Sequence, residues 1–506
     1  MRGLTKPDTL RERAAQLIVP RLGSNMPPAV SVADDLQRAE RLLEEVPVGG
    51  FVLFRGSMES SPAALASLQD ISKTPLLIAS DLERGAGQQL SGGVVFPHAM
   101  AFGHAGSDRR QMVNDAACQT AAEARHAGVH WIFGPVADIH SNPLNPIIST
   151  RAFGSDPDEC VDLTVAFVQG CLEGGALSTA KHFPGHGDTD TDSHDALPMV
   201  SRSARVLRSL ELAPFRAAIA AGVDSVMTAH VAYPALDPSC VPATFSPMIL
   251  RDLLRDEMGF RGVVVSDSLL MGAAGEAVSA RAHKLVQAGV DVLLDISHPA
   301  LALSALLEAV ADGSMKEELI QEAFERIWAM KSKVFGLAPG PVGDGRALAA
   351  KVATAAVQVA GDLDGVLAGP GPVPLVVVRP HTDYPDPTRA DSAALFDAAS
   401  DQFEVYSVGP DTTEEAYQDL TKRIVTSGRC VLALVVKPAA WHKFGLLPRQ
   451  IEFARKVIEN AETAVCCLGS PDSARDLPKP RATVLAFSDV EASVRAVAHL
   501  LASGGR

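Results

Sequence analysis

Short apolar runs alternate with amphipathic or alanine-rich stretches from residue 10 to about residue 335. The near-continuous apolar runs are typical of parallel strands that are buried on both faces. The pattern predicts eight strands, at 16–20, 50–54, 76–81, 129–134, 177–182, 224–230, 262–267 and 291–295. Helical periodicity between them predicts helices that include 32–45, 111–127, 160–173, 210–221, 247–257 and 279–288.

Eight strands, each followed by a helix, favour an α/β fold in which residues 1–335 form a (β/α)8 barrel of the TIM type. A doubly wound sheet is the alternative architecture for this part of the chain. A Gly/Pro-rich linker is predicted at 336–345. A smaller C-terminal α/β domain follows at 346–506, with a helix at 346–360, strands at 375–378, 430–436, 463–468 and 483–487, and helices at 449–461 and 490–502.

Polar residues recur at one place in most of the predicted units of the first domain. They lie at or just beyond the carboxyl ends of the strands, which form the active-site face of a (β/α)8 barrel. These residues are Asp81, Asp138, Lys181, His182, His230, Asp267 and Asp295. A Gly/Pro-rich segment at 369–374 does not change this picture, because it precedes its strand and opens no helix, unlike a phosphate-binding loop.

Composition narrows the class of protein. The 45 basic and 60 acidic residues give a net charge of −15, which disfavours nucleic acid and anionic membranes as partners. The N-terminal residues lack the apolar core of a signal peptide, and no apolar run is long enough to span a bilayer. Seven cysteines at irregular spacings indicate reduced thiols of a cytoplasmic protein, with no zinc or redox motif.

The segment 181–194, KHFPGHGDTDTDSH, holds three histidines, three aspartates and a lysine around turn-forming residues. A metal site would use His182, His186 and His194, but these lack the compact H-E-x-x-H spacing. The run 188–192 resembles the start of an EF-hand loop, yet Ser193 and Met199 occupy the positions that need Gly and Glu. A purely structural loop, with its charges paired to one another, is a third possibility.

Acid–base catalysis is the interpretation that this segment favours. Asp192 and His194 are two residues apart, so an extended chain points both side chains to one side. The carboxylate can then orient the imidazole, whose ordinary pKa suits proton transfer in both directions near neutral pH.

A second signal is the apolar strand at 262–267, which ends on Asp267 and is followed by small residues. A barrel places a carboxylate nucleophile at such a position. An aspartate that caps a helix over 268–273 is an equally good interpretation of position alone.

KHFPGHGDTDTDSH followed by VVVSDSLLMGA closely resembles glycoside hydrolase family 3, and within it the bacterial β-N-acetylglucosaminidase branch. The resemblance covers nearly all of residues 10–335, and a trailing α/β domain is usual in many members. It implies that Asp267 is the nucleophile and that His194 and Asp192 form the acid/base dyad. It also implies that four residues bind the sugar: Asp81, Arg151, Lys181 and His182.

One position departs from the family's D-x-E-G-G-x-V-x-R pattern. The chain has Gln89 where the family has its closing arginine, and Arg84 offers a guanidinium from another backbone position. The difference concerns the choice of sugar or aglycone more than the reaction. His140, Asp138, His230 and Met271 are candidates for pocket lining, with ordinary structural hydrogen bonding as the alternative.

The resemblance implies retaining hydrolysis of terminal β-linked N-acetylglucosamine through a covalent glycosyl-aspartate, in cytoplasmic recycling of cell-wall muropeptides. No cofactor or metal is implied, because the steps need only proton transfer and a carboxylate. Phosphorolysis is an alternative, since a neutral imidazole does not repel a phosphate acceptor as a carboxylate would. Two more functions compete with it: β-glucoside hydrolysis and catalytically silent sugar binding. The intact Asp192, His194 and Asp267 argue against the silent protein.

Overall fold

The computed structural model describes residues 6–189, 197–275, 278–381, 388, 390–438 and 444–504. The chain forms two compact units. Unit 1 consists of the residues up to Val94 together with Val113–Asn142 and Ser155–Gly345. Unit 2 consists of Val95–Met112, Pro143–Gly154 and the residues from Arg346 onward. The periodicity of the sequence assigns the two short segments of unit 2 to the N-terminal domain, because it reports local elements and not their packing partners.

Unit 1 is an α/β unit whose described strands are short and mostly buried. They are β1 Ile18–Val19, β2 Arg21–Leu22, β3 Gly50–Leu53, β4 Gly56–Ser57, β5 Leu77–Ser80, β6 Leu90–Ser91, β7 Trp131–Ile132, β8 Thr179–Phe183, β9 Ser225–Thr228, β10 Val263–Val265 and β11 Leu293–Leu294. All eight predicted strands overlap these elements. The predictions erred mainly at the ends, where the ladder of hydrogen bonds is shorter than the apolar run.

The strands of unit 1 pair in parallel. One sheet has the order β2-β3-β5-β7, another has the order β10-β9-β8, and β1 pairs with β11. Isolated parallel bridges join Trp131 to Leu177, Val136 to Lys181, and Val265 to Val292. The two-residue strands β4 and β6 also pair in parallel.

Helices separate these strands, and several begin where the sequence supplies a cap. Ser31 and Asp156 accept hydrogen bonds from the first turns of their helices. The helices that lie in or reach into unit 1 are Leu10–Ala15, Val32–Glu45, Ser61–Ile71, Arg109–His126, Pro157–Glu173, Ala204–Ser209, Ala213–Ala220, Ala282–Ala288, Pro299–Ala311 and Glu317–Gly336. Met248–Glu257, predicted as an ordinary helix, is a π-helix. Short 3-10 turns occur at Ala86–Gln88, Ala243–Phe245, Gly272–Ala274 and Val278–Arg281.

Unit 2 contains a six-stranded sheet flanked by helices. Its strands are β12 Gln358–Gly361, β13 Val373–Val378, β14 Phe403–Val408, β15 Arg429–Val436, β16 Glu462–Gly469 and β17 Ala482–Leu485. The spatial order is β12-β17-β16-β15-β13-β14, parallel except for β12 at one edge. Strands β13 to β17 thus follow the 2-1-3-4-5 order of a doubly wound fold. The helices are Ala99–Gly103, Gly345–Ala356, Leu363–Leu367, Ser392–Asp397, Glu414–Ser427, Pro448–Asn460 and Glu491–Ala502, with 3-10 turns at Ser149–Arg151 and Pro471–Ala474.

Both faces of the inner strands β13, β15 and β16 are buried, and the strand period of two divides their residues between two cores. Cys466 packs on one face among residues such as Val431, whereas its neighbour Cys467 packs on the other among residues such as Leu432. The adjacent cysteine pair is therefore a consequence of a strand that is covered on both sides.

The elements at the two edges of the unit 2 sheet differ from the sequence prediction. The predicted helix at 346–360 ends at Ala356, and β12 begins at Gln358, because β-branched Val359 suits the edge strand that pairs with β17. Strand β14 was not predicted, since Glu404 and Ser407 interrupt its apolar run at the other edge of the sheet. Across the described residues, every helix is too short or too polar to cross a bilayer.

Candidate active site

Lys181 joins two acidic residues that follow β5 in unit 1. It lies in β8, and its Nζ is 2.7 Å from Asp81 Oδ1 and 2.6 Å from Glu83 Oε1. The lysine side chain is only 2% exposed, whereas that of Asp81 is 31% exposed. Two carboxylates compensate the buried ammonium group, and they in turn are held in place by it. Asp81 therefore presents a fixed, partly exposed carboxylate, and Glu83 is a member of the site that sequence analysis did not single out.

Asp138 binds the segment 182–186, which begins within β8. Its carboxylate accepts hydrogen bonds from the backbone N–H of His182 at 3.1 and 3.2 Å and from that of His186 at 2.7 Å. It also lies 2.7 Å from Nδ1 of the His182 ring. Burial acts to raise the pKa of Asp138, but the charge of His182 and these donors outweigh it, so the pKa falls below its usual value. An ionised Asp138 thus fixes the orientation of the His182 imidazole.

His186 is a buried anchor of the same segment. Its Nδ1 lies 2.8 Å from Thr189 Oγ1, and burial together with the charge of His182 lowers its pKa to about 4. His186 is therefore neutral at physiological pH. The backbone just before it is also anchored, because the hydroxyl of buried Tyr233 donates to the Gly185 carbonyl at 2.7 Å. Within the described ranges, no three His, Cys, Asp or Glu side chains are grouped so that they could hold a metal ion.

Asp267 lies two residues after the end of β10, and it accepts a hydrogen bond from the backbone N–H of Ser268 at 2.7 Å. Burial acts to raise the pKa of Asp267. The charges of His182 and His230, the Ser268 N–H and the charge of Lys181 outweigh burial and lower this pKa. The group is therefore ionised near neutral pH, as a carboxylate nucleophile must be.

The interpretation of Asp267 as a helix cap is wrong. The chain after it turns without a helix until the 3-10 turn Gly272–Ala274, which begins beyond Met271. Met271 makes no side-chain capping bond, and its own side chain is 6% exposed.

The backbone after Asp267 is held from two sides. The ring of fully buried His230 lies 3.2 Å from the Ser268 carbonyl through Nε2 and 2.8 Å from Thr244 Oγ1 through Nδ1. The Ser268 hydroxyl donates to Asp295 at 2.7 Å, and Arg21 binds both oxygens of Asp295 at 2.7 and 2.6 Å. These bonds favour the structural alternative for His230, because they fix the turn that carries Asp267.

The position that departs from the family pattern lies in the segment after β5. Gln89 is 7% exposed, and its side-chain oxygen accepts a hydrogen bond from Asn25 at 3.0 Å. The backbone N–H of Arg84 donates to the side chain of Gln88 at 3.1 Å. The amide of Gln89 thus contributes to local structure through Asn25, a contact that sequence analysis could not foresee.

Three predicted site residues lie outside the described part of unit 1. Asp192 and His194 lie outside the described residues. Arg151 belongs to unit 2, where it ends the 3-10 turn Ser149–Arg151 and donates to the Ile147 carbonyl at 3.1 Å. Their roles stay predictions.

The chain is similar to known proteins. Residues 9–330 match the family described as the Glycosyl hydrolase family 3 N terminal domain. A beta-hexosaminidase of Stenotrophomonas maltophilia (strain R551-3) is 38% identical over 274 residues, which cover 52% of this chain and 80% of that protein. A protein of Cellulomonas fimi named "Beta-N-acetylglucosaminidase/beta-glucosidase" is 32% identical over 343 residues, which are 63% of this chain but only 60% of that relative.

A solved structure extends the comparison over both units. It is that of a glycoside hydrolase family 3 beta-N-acetylglucosaminidase from Paenibacillus sp. str. FPU-7, with a TM-score of 0.85 and 30% identity. The match covers 98% of this chain and 97% of that one.

Proposed function

The chain belongs to glycoside hydrolase family 3, and we propose that it is a retaining exo-β-N-acetylglucosaminidase that removes terminal β-linked N-acetylglucosamine. The observation that carries the proposal is the position of the Asp267 carboxylate, two residues beyond the buried parallel strand β10, where cationic groups that include His182 and Lys181 lower its pKa. The named activities of the hexosaminidase and N-acetylglucosaminidase relatives support the choice of sugar.

A (β/α)8 barrel is the architecture that we propose for unit 1. Each of the eight predicted strands has a parallel neighbour on both sides once the isolated bridges are counted. The Val52 N–H donates to the Pro20 carbonyl, and the Asp295 N–H donates to the Val19 carbonyl, so the first strand is bonded to the second and to the eighth. A parallel sheet without an edge supports a closed barrel, in which Asp81, Lys181 and Asp267 share the active-site face.

Sugar binding uses the fixed polar groups of this face. Asp81 accepts hydrogen bonds from sugar hydroxyls, while the ammonium of Lys181 and the imidazole of His182 donate to sugar oxygens. The pairing of Lys181 with Asp81 and Glu83, and of His182 with Asp138, holds these groups before the sugar arrives. The family resemblance adds Arg151 to this set and makes Arg84 and Met271 candidates for the rim.

The first displacement forms a covalent intermediate. A carboxylate oxygen of Asp267 attacks the anomeric carbon as the glycosidic C–O bond breaks, and protonated His194 gives its proton to the departing oxygen. Asp192 orients His194 and stabilises its charged form.

The second displacement restores the enzyme. His194, now neutral, takes a proton from water as the water oxygen attacks the anomeric carbon and Asp267 leaves. Two inversions at this carbon give overall retention. Cytoplasmic localisation and an origin of the substrate in cell-wall muropeptides are further parts of the proposal, and they rest on the family resemblance.

Product analysis tests the reaction. p-Nitrophenyl N-acetyl-β-D-glucosaminide is incubated with the enzyme with and without inorganic phosphate, and the sugar product is identified by NMR. We expect β-N-acetylglucosamine as the first-formed product in both cases. A sugar 1-phosphate that forms only with phosphate would replace hydrolysis by phosphorolysis, and a product of inverted configuration would overturn the two-step mechanism.

The dyad is tested with leaving groups of different acidity. His194→Ala should lower kcat/KM by about 100-fold or more for alkyl and sugar aglycones, and much less for a dinitrophenyl aglycone that departs without a proton. Asp192→Ala should act in the same direction but less strongly. If a chelator inactivates the wild-type enzyme and added metal restores it, the segment is a metal site and the dyad is wrong.

A further inference from the structure

A buried carboxyl group lies beneath the histidine-containing segment and has no part in the chemistry described above. Glu211 is 0% exposed, and its Oε1 accepts a hydrogen bond from Ser141 Oγ at 3.1 Å. Its other oxygen, Oε2, is buried and makes no hydrogen bond with any described residue. A side chain added at Gly185 would meet Glu211, because an ideal Cβ there falls 2.9 Å from Oε2. Glu211 therefore packs directly against the backbone of the segment that contains His182 and His186.

An arginine connects Glu211 to the same segment. Arg202 Nη2 is 2.6 Å from Asp188 Oδ1, and Nη1 is 3.5 Å from Glu211 Oε1. Asp188 precedes residues 190–196 and Arg202 follows them, so this ion pair ties together the two described ends of one segment. Asn142 adds a hydrogen bond from its Nδ2 to the Asp188 carbonyl at 3.2 Å.

Backbone contacts fix the two ends at adjacent residues of the chain after β9. Tyr233 holds the Gly185 carbonyl at 2.7 Å. Its neighbour Ala232 exchanges backbone hydrogen bonds with the other end, donating to Pro198 and accepting from Val200, both at 2.9 Å. Both ends thus bind residues 232–233. We call these two residues, together with the charged groups of Glu211 and Arg202, the seat of the segment.

We propose that Glu211 is a positioning residue that seats the two described ends, 185–189 and 198–202, of the segment whose sequence contains Asp192 and His194. The link to catalysis rests on the proposed function, which assigns the acid/base role to that dyad. Glu211 contacts no substrate in this proposal. It acts through Arg202, Ser141 and the backbone at Gly185.

Charged and titratable groups face Glu211 from each neighbouring element. Arg202 and Asp188 come from the segment itself, Asp138 from the chain after β7, and Tyr233 from the chain after β9. Burial raises the pKa of Glu211 to about 7; Arg202 acts to lower this pKa, whereas Asp138 and Asp188 act to raise it. In the folded chain the buried Glu211 carboxyl therefore gains or loses its proton near neutral pH.

The sign of the pH effect follows from linkage. A covered Glu211 binds its proton more tightly than an uncovered one, whose pKa lies near the ordinary value of 4.5. The seat is therefore most stable at low pH, loses stability as the pH rises from 4.5 to about 7, and changes little above that. Glutamine has the shape of the protonated acid and no charge, so Glu211→Gln should remove this dependence.

Hydrogen exchange measures the seat directly. Peptides from 185–189 and 198–202 of the full chain are followed by mass spectrometry between about pH 5 and pH 8, with intrinsic exchange rates divided out. We expect protection in the wild type to fall by about tenfold or more up to neutral pH, and to stay level in Glu211→Gln. Asp224→Asn is the matched control, because Asp224 is also a buried, ion-paired carboxylate with a raised pKa. An unchanged pH dependence in Glu211→Gln would overturn the proposal.

Kinetics test the link to the dyad. Glu211→Ala should lower kcat/KM about tenfold for a poorly departing aglycone and far less for dinitrophenol, because the nucleophile Asp267 is untouched. An equal loss on both substrates would mean a general structural role and would overturn the positioning role. Failure of the proposed function appears separately, as His194→Ala without any leaving-group dependence, and leaves the exchange result on Glu211 valid.

Discussion

The parallel strands of unit 1 have charged groups at both ends, but these groups differ in how they are paired and exposed. We call the end where the strands begin the closed end and the end where they finish the open end. Where the strands begin, buried Asp291 is bound by Arg255 at 2.6 Å and by Arg326 at 2.9 Å. Where the strands finish, Asp81 is paired with a lysine yet 31% exposed, and Asp267 is only partly buried. A carboxylate enclosed between two guanidinium groups has no site left for a ligand, whereas a partly exposed one can meet a sugar.

The difference shows that a charged residue at a strand end does not by itself mark an active site. Burial raises the pKa of Asp291 in spite of its two arginines, while the charges around Asp267 lower its pKa in spite of burial. Burying the Asp291 carboxylate costs free energy, but its negative charge compensates the positive charges of Arg255 and Arg326. The Asp267 carboxylate is kept ionised by cationic groups in its surroundings, as a nucleophile requires.

Asp267→Ala should produce the largest effect and the clearest separation of the two ends. We expect kcat to fall by at least about 1,000-fold, because the variant has no carboxylate at position 267 to attack the anomeric carbon. The melting temperature should change little, and a 2-deoxy-2-fluoro or 5-fluoro sugar should label Asp267 in the wild type. Substantial activity in the variant, or a label on a different residue, would mean that the nucleophile lies elsewhere.

Asp291→Ala should show the opposite behaviour. Removing this carboxylate leaves Arg255 and Arg326 without their buried partner, so the free energy of unfolding should fall by about 3–5 kcal/mol. Activity per folded molecule should stay near that of the wild type, as measured by titrating active sites with a fluorosugar. A large loss of kcat in the fraction that is folded would break the comparison, because it would give the closed end a part in catalysis.

The sequence predicts the strands of unit 1 better than it predicts the partners of the residues that follow them. Strand positions follow from apolar runs, which are local, and all eight predicted strands overlap observed ones. Partners such as Glu83 for Lys181 and Asp138 for His182 join residues on different strands. Local periodicity does not report such contacts, although the motif 81–83 already placed a second acid next to Asp81.

Burial is the other property that the sequence concealed. The helix predicted at 210–221 would leave a glutamate such as Glu211 exposed to solvent. In the structure Glu211 lies before the helix Ala213–Ala220 and is fully buried. Met271 was a candidate for pocket lining and Gln89 stands where the family has arginine, and both are nearly buried. Covering a residue depends on what packs over it, which only the folded chain determines.

Lys331 offers a pH test of the closed end. This lysine is fully buried, its Nζ donates to Gln16 Oε1 at 2.5 Å, and burial lowers its pKa from 10.5 to about 7. The unfolded chain binds the proton more tightly, so stability should rise as the pH increases from about 7 toward 10.5. Lys331→Met should be more stable at neutral pH and lose this slope in urea unfolding. Lys333→Met, at a partly exposed lysine, should keep the slope; a wild-type stability that falls over this range would contradict the assignment.

The smallest expected effect concerns the sugar that the open end prefers. N-acetyl-β-D-glucosaminides should have kcat/KM values at least about tenfold above those of β-glucosides, a difference of ~1.4 kcal/mol in transition-state free energy. The ratio is measured with paired p-nitrophenyl glycosides on one enzyme preparation, and Asp224→Asn at the closed end should leave it unchanged. A tenfold preference for glucosides would identify the chain as a glucosidase.

Gln89 would then be the first position to change, because it stands where the family has arginine and is bound instead by Asn25. Gln89→Arg should shift the ratio in that case, whereas a shift produced by Asp224→Asn would mean that the two ends of the strands are not independent.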